Sequence, residues 1–388
     1  MADPVSSVAY AIEATLRALG GNLSLLLPTM GVVIGIIAIV VVNYQQIVAR
    51  FPHGGGAASA VASSFGLGWA FMPLGALLVD FVLTIAISVA AATSAVIAFV
   101  PALGGDRVVV ALAFLGGVAS LTLLGHAGRM VFAAMTLAFL AVVSVLLAGA
   151  SSIVAASPVT VELPSSGGLL AIVFAFPVGM ALATGVEAPS SAIAQLGQLG
   201  DDGKRTFGRW TLWATLGFVS AITLGLTFAI VRLGIGLPGA DSTLLADLAR
   251  TASPPFLFAL FQATSGTLLL AAASSSFQAG PGLLKSLARS ADRPGVLPTG
   301  FGRTNRHYTP RLGVLVCLIL AAAMVVAAGG HEQQLVLFYA VAVFASFLFG
   351  LAAMARLHLA EHSRWRLLVD LIALGLVGFT LAVNLTRG

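Results

Sequence analysis

The stretch from Asp80 to Ser88 carries a carboxylate, Asp80, and two hydroxyls, Thr84 and Ser88, at intervals of four residues. It lies inside an apolar run from Gly68 to Leu103 that holds no other charge. An ionised carboxylate at the centre of a bilayer costs about 2.5–3.5 kcal/mol or more. Helical spacing puts all three groups on one face, and that face has to look at protein or at water rather than at lipid. An acid with hydroxyls stacked behind it is the chemistry of a substrate or ion path. The plainer alternative is an interior carboxylate that only packs helices.

A second locus is the segment Phe174 to Pro189. Pro177, Gly179, Gly185 and Pro189 weaken any helix there over three turns. Thr184 and Glu187 sit in the weak region. A helix broken at membrane depth exposes amides and carbonyls that must serve something; the alternative is a proline kink with Glu187 capping a helix end. A third locus is the beginning of the chain. Asp3-Pro4, followed by Ser6 and Ser7, reads as a helix start with Asp3 near the N-cap. Were a first half-helix to precede it, Asp3 would lie at a break. Tyr10 is then a path residue or an interfacial aromatic, and Glu13 reads as a charge near the outer surface.

Other polar residues read more plainly. Tyr339, without a charged neighbour, is by itself a packing aromatic. Gln262, Ser265 and Ser276 read as close helix packing by small and polar groups. Asp370, near Arg364 and Arg366, reads as a surface ion pair. The histidines lack metal-ligand spacing, and the single Cys317 permits neither a disulfide framework nor a metal motif.

The elements that must position these groups follow from composition. Of 388 residues, 59% are hydrophobic and 9% charged, against about 25% charged in soluble domains. Mean hydropathy is +1.04. The chain is therefore an all-α polytopic membrane protein. The net charge of +5 does not point to nucleic acid, because the basic residues cluster between apolar runs. Those runs predict spans at about 24–48, 67–100, 107–125, 129–156, 167–199, 207–234, 255–290, 311–329, 332–356 and 367–385. The run from 67 is long enough to require tilt. Gly280-Pro-Gly282 should break the run from 255 near its end. With the N-terminal side cytoplasmic, fourteen of the 19 basic residues fall inside, a positive-inside bias. That count leaves the C-terminus outside. No cleavable signal peptide is expected at Met1, nor any enzyme: His-Glu-x-x-His, the Walker loop and Gly-x-Ser-x-Gly are all missing. No cofactor is expected.

Several motifs, in order, resemble those of KimA-type potassium importers, Kup-related members of the amino acid–polyamine–organocation (APC) permease superfamily. Asp3-x-x-Ser-Ser-Val-Ala-Tyr10 resembles the unwound part of their first helix, and Phe51-Pro-x-Gly-Gly-Gly56 the loop after their second. Asp80-Phe-Val-Leu-Thr84 resembles their third helix, and Thr184-Gly-Val-Glu187 their sixth. Residues 271–277, 287–289 and 297–298 resemble the eighth helix and the loop after it, and 337–344 the tenth.

The resemblance implies a LeuT-like fold with a 5+5 inverted repeat and broken helices one and six. The whole chain would be one transporter domain: a first repeat at about 1–156, a second at about 167–356 and an extra helix at about 367–385. It implies about ten full spans plus a truncated first helix, and lacks the importers' first half-helix, twelfth helix and cytoplasmic tail. By the same resemblance Asp3, Tyr10, Thr84, Ser88, Thr184 and Tyr339 bind the cation, while Asp80 and Glu187 couple protons. The expected function is proton-coupled potassium import across the plasma (inner) membrane, with the N-terminus cytoplasmic. Partners would be the cation, protons and lipid, with a homodimer as one further expectation. Phe81 stands where the importers carry Tyr, which removes one oxygen from the site. An amino acid or amine is therefore an alternative substrate. A non-transporting membrane sensor or scaffold is the third reading.

Overall fold

In lipid every backbone polar group must be satisfied within its own element, so apolar runs of this length fold as helices. The computed structural model describes residues 2–125, 129–153, 166–187, 190, 193, 198–289 and 295–386. Pro189, used in the sequence reading, lies outside them. The helices are α1 (Ala2–Ser6), α2 (Val8–Ala18), α3 (Leu23–Arg50), α4 (Gly56–Phe65), α5 (Phe71–Phe99), α6 (Arg107–Leu123), α7 (Arg129–Ser152), α8 (Ser166–Gly179), α9 (Asp201–Leu233), α10 (Leu244–Ala252), α11 (Pro255–Ser286), α12 (Arg311–Ala327), α13 (Glu332–Ala360) and α14 (Arg364–Leu385). Among the described residues there is no strand, only two isolated bridges. Among the described residues eight helical stretches are long and apolar enough to cross a membrane, and Gly167–Ala183 and Arg311–Ala327 are shorter apolar helices. The protein is a multi-pass helical membrane protein. The stretch Leu67–Phe99, 33 residues long, is as extended as the sequence requires.

The chain divides into two compact units, the first comprising Met1–Glu13, Leu78–Ser157 and Arg232–Val336. Here α11 is the hub, packed by α1, α6, α7, α10 and α12. Gly280-Pro281-Gly282 does not break it: α11 runs unbroken to Ser286 with Pro281 inside. Tertiary packing overrides the local preference. A Cβ on Gly313 of α12 would lie 2.9 Å from the Pro281 Cα, and one on Gly280 would meet Cys317 Sγ at 3.3 Å. The glycines let the backbones close on the proline, and dispersion replaces what its missing N–H loses.

Among the described residues of this unit Glu13, Arg107 and Glu332 are buried rather than facing the surface. Glu13, 2% exposed, accepts from the Leu244 amide at 2.9 Å and so satisfies a backbone donor at the N-terminus of α10. Arg107 donates from Nη1 to Ser94 Oγ and from Nη2 to the Ala240 carbonyl, at 2.6 and 2.9 Å. Ser94 donates in turn to Glu332 Oε2 at 2.6 Å.

The second unit comprises Ala14–Leu77, Pro158–Val231 and Leu337–Gly388. In it α3, α8 and α14 pack on one another. Gly179 closes the approach of α8 to its neighbours, since a Cβ there would meet Thr15 Oγ1 at 2.6 Å. The loop after α3 carries three consecutive left-handed residues, Gly54, Gly55 and Gly56, with φ of 88°, 87° and 48°, which only glycine adopts freely.

Asp370 is not a surface ion pair with Arg364 and Arg366. It is wholly buried: Asn43 Nδ2 donates to its Oδ1 at 2.6 Å, and His358 Nδ1 lies 2.5 Å from its Oδ2. His358 is inside α13 and 2% exposed. Buried carboxylates require such partners, and here they come from α3, 327 residues away, and from the preceding helix α13.

Candidate ion-coupling site

The first unit holds Asp3, Tyr10, Asp80, Thr84 and Ser88. α1 ends at Ser6 and α2 begins at Val8, so the chain is interrupted at Ser7. The amides of Tyr10 and Ala11 return to the Ser7 carbonyl at 3.3 and 2.9 Å. Ser6 Oγ donates to the Asp3 carbonyl and Ser7 Oγ to the Pro4 carbonyl, at 2.7 and 2.8 Å. Serine side chains competing for backbone acceptors are a local reason for the interruption. Tyr10 is 1% exposed, so it is no interfacial belt aromatic.

On α5, Asp80 is half-buried, while Thr84 and Ser88 are buried. Hydroxyls inside apolar helices ordinarily donate to the carbonyl four residues back. Thr93 on the same helix does so, to Val89 O at 2.9 Å. Thr84 Oγ1 and Ser88 Oγ make no hydrogen bond within the described structure, nor does Asp3 Oδ1. Each buried, unsatisfied polar atom costs about 1–3 kcal/mol, so these oxygens are suited to an occupant that the helix itself does not supply.

The second unit holds Thr184, Glu187 and Tyr339. α8 gives way at Gly179 to a 3-10 turn over Met180–Ala183 and then to turns through Glu187. Three local features release the helix. Pro177 lacks a donor, and its carbonyl accepts from buried Asn384 Nδ2 at 3.1 Å. Thr184 is extended, with ψ 134°, and its hydroxyl donates to Ala181 O at 2.7 Å. Gly185 has φ +77°. Glu187 does not merely cap a helix end. Tyr44 of α3 donates its hydroxyl to Glu187 Oε1 at 2.8 Å, and Ser346 of α13 lies beside the same carboxylate. Tyr44 is fixed edge-on against Phe347, centroids 5.5 Å apart. Tyr339 is 1% exposed.

Tyr44 is the residue that sequence reasoning missed. The available signal was the polar run Asn43-Tyr44-Gln45-Gln46 closing an otherwise apolar span. A carboxylate held by a phenol can take up or release a proton without leaving its place, and oxygens of Thr and Asp can replace the water of a cation. Among the described residues no cluster of His, Cys, Asp and Glu has the makings of a transition-metal site.

The fold is similar to that of a solved membrane transporter. The structure superposes on a crystal structure of a mutant manganese transporter from Eremococcus coleocola with a TM-score of 0.52, covering 100% of this chain and 85% of that one at 15% identity. In sequence the chain is 30% identical over 311 residues to the potassium transporter KimA of Bacillus subtilis, a match that takes in 75% of this chain. It takes in 50% of that protein, so the chain spans about half the length of the curated relative it matches. No protein-family model matches the chain. The resemblance to KimA-type importers thus extends beyond the short motifs to three quarters of the sequence.

Proposed function

We propose that this protein is a secondary transporter that imports potassium through the plasma membrane on a proton gradient, not an enzyme. The finer arrangement we infer is a LeuT-like pair of inverted five-helix repeats with the N-terminus cytoplasmic. Asp3, Tyr10, Thr84, Ser88, Thr184 and Tyr339 would hold the cation, and Asp80 and Glu187 would carry protons. The observation that carries this reading is the interruption at Thr184–Glu187, where a carboxylate meets a phenol hydroxyl at a helix break. Interrupted helices are where secondary transporters bind their ions. The similarity to a potassium transporter supports potassium as the cargo.

The test is rubidium uptake into proteoliposomes. Uptake above that of empty vesicles, stimulated by an inward proton gradient and lost in Glu187→Gln, is the expected result. Folded protein that takes up no rubidium under that gradient overturns the reading. Stabilisation of the purified protein by an amino acid, together with indifference to potassium, would move the cargo to the amine class.

A further inference from the structure

The second unit contains a cavity of about 430 Å³ that the transport reading does not use. Three arginines line it, Arg50 at the end of α3, Arg209 of α9 and Arg366 of α14, together with His358 of α13 and Trp365 of α14. Among the described residues no carboxylate lines it. Arg50 has a partner outside the lining, Glu361, at 2.6 Å. Among the described residues one carboxylate, Glu361, pairs with a guanidinium of this wall, while three helices bring three such cations to a single concavity. Like charges gathered this way repel, and a bound anion relieves the repulsion.

The chemistry of the lining is specific. Guanidinium groups present planar forks that match phosphate oxygens two at a time, and they are weakly hydrated compared with ammonium groups. The cavity also carries neutral polar groups. Gln45 and Gln46 line it, and Gln46 Oε1 is buried with no hydrogen-bond partner in the described structure. An acceptor of that kind suits a hydroxyl carried by the ligand. Trp365, 75% exposed, is the type of residue that settles at the level of lipid headgroups. The volume falls within the roughly 300–1,000 Å³ of small-molecule sites and exceeds what a bare inorganic anion requires.

We propose that this cavity is a binding site for a phosphate-bearing anion, held by Arg50, Arg209 and Arg366. The phosphate is that of an anionic lipid headgroup or of a soluble phosphate ester. Basic pockets between membrane helices take headgroups of this type. His358 joins the cavity wall to Asp370 and Asn43, so an occupant would bear on the buried cluster of this unit. The proposal is independent of which cation is carried.

The test uses the full chain purified in a neutral detergent, with melting temperature as the readout. One arm adds short-chain phosphatidylglycerol, with phosphatidylcholine as control. The other adds glycerol phosphate or inorganic phosphate, with sulfate-free chloride at equal ionic strength as control. Stabilisation by phosphatidylglycerol but not by soluble phosphates assigns a lipid; stabilisation by both, or by the soluble ester alone, assigns a free phosphate compound. Arg209→Gln with Arg366→Gln should weaken the response at least tenfold in ligand concentration, and the double Lys variant should recover part of it. Each variant is checked for monodisperse elution and unchanged helical signal. No stabilisation in either arm, or an undiminished response in a folded double-Gln variant, overturns the proposal.

Discussion

Replacing His358 tests how the second unit holds its buried acid. Asp370 is 0% exposed and His358 2%, and their Nδ1 and Oδ2 atoms are 2.5 Å apart. Asn43 is the other partner, on the opposite carboxylate oxygen. If the two side chains form an ion pair, His358→Ala strands a buried charge at a cost of about 3–5 kcal/mol. Were the contact only a neutral hydrogen bond between membrane helices, the loss would average about 0.6 kcal/mol and reach about 1.7 at most. The short contact favours the larger figure. Asp370→Ala removes the charge and leaves the imidazole and the Asn43 amide short of an acceptor, at about 1–3 kcal/mol each. In the double variant the two penalties overlap, so the singles should exceed the double by about 2 kcal/mol or more. The assay is equilibrium unfolding in mixed micelles, followed by far-ultraviolet circular dichroism on the parent, both singles and the double. A coupling under about 0.5 kcal/mol, or a His358→Ala variant as stable as the parent, would refute the reasoning.

Other perturbations follow from the same geometry. Gly313→Ala should lower stability by about 1–3 kcal/mol, because the new methyl lands 2.9 Å from Pro281 of α11; a melting curve unchanged from the parent's would contradict that packing. Arg107→Ala leaves buried Ser94 Oγ and the Ala240 carbonyl without the guanidinium that donates to them, and a loss of about 1–3 kcal/mol is expected by chemical unfolding; stability equal to the parent's would contradict it. Tyr44→Phe removes the hydroxyl from Glu187 but keeps the ring on Phe347; the pH profile of rubidium uptake should shift while the fold persists, and an unshifted profile would separate Glu187 from proton coupling. The hydrogen bond from Arg50 holds the Glu361 carboxylate below its ordinary 4.5. A folded pKa lowered in this way contributes stability that is present above about pH 4.5 and lost as pH falls through the lower folded value. The pair is solvent-exposed, so the effect is only about 0.2–1 kcal/mol and should shrink in molar salt. Glu361→Gln should flatten the melting temperature across the acid limb, and an identical limb in that variant would assign the acid loss to other carboxylates.

The sequence by itself determined that this is a helical membrane protein, and it located the interruption at Thr184–Glu187. Both are local matters: apolar run length decides what can cross a bilayer, and proline and glycine decide where a helix cannot close its own hydrogen bonds. Its reading failed where a residue's surroundings come from distant chain. Gly280-Pro-Gly282 looked like a break, yet α12 packs onto it and α11 stays whole. Asp370 looked paired with its neighbours in sequence, yet its partners are Asn43, 327 residues away, and His358 on the preceding helix. Tyr44 gave no sign that its hydroxyl belongs to Glu187, 143 residues on. Only the tertiary structure could choose such partners, because a buried polar group must be satisfied by whatever packing places beside it, and packing is set by the whole fold rather than by spacing along one helix.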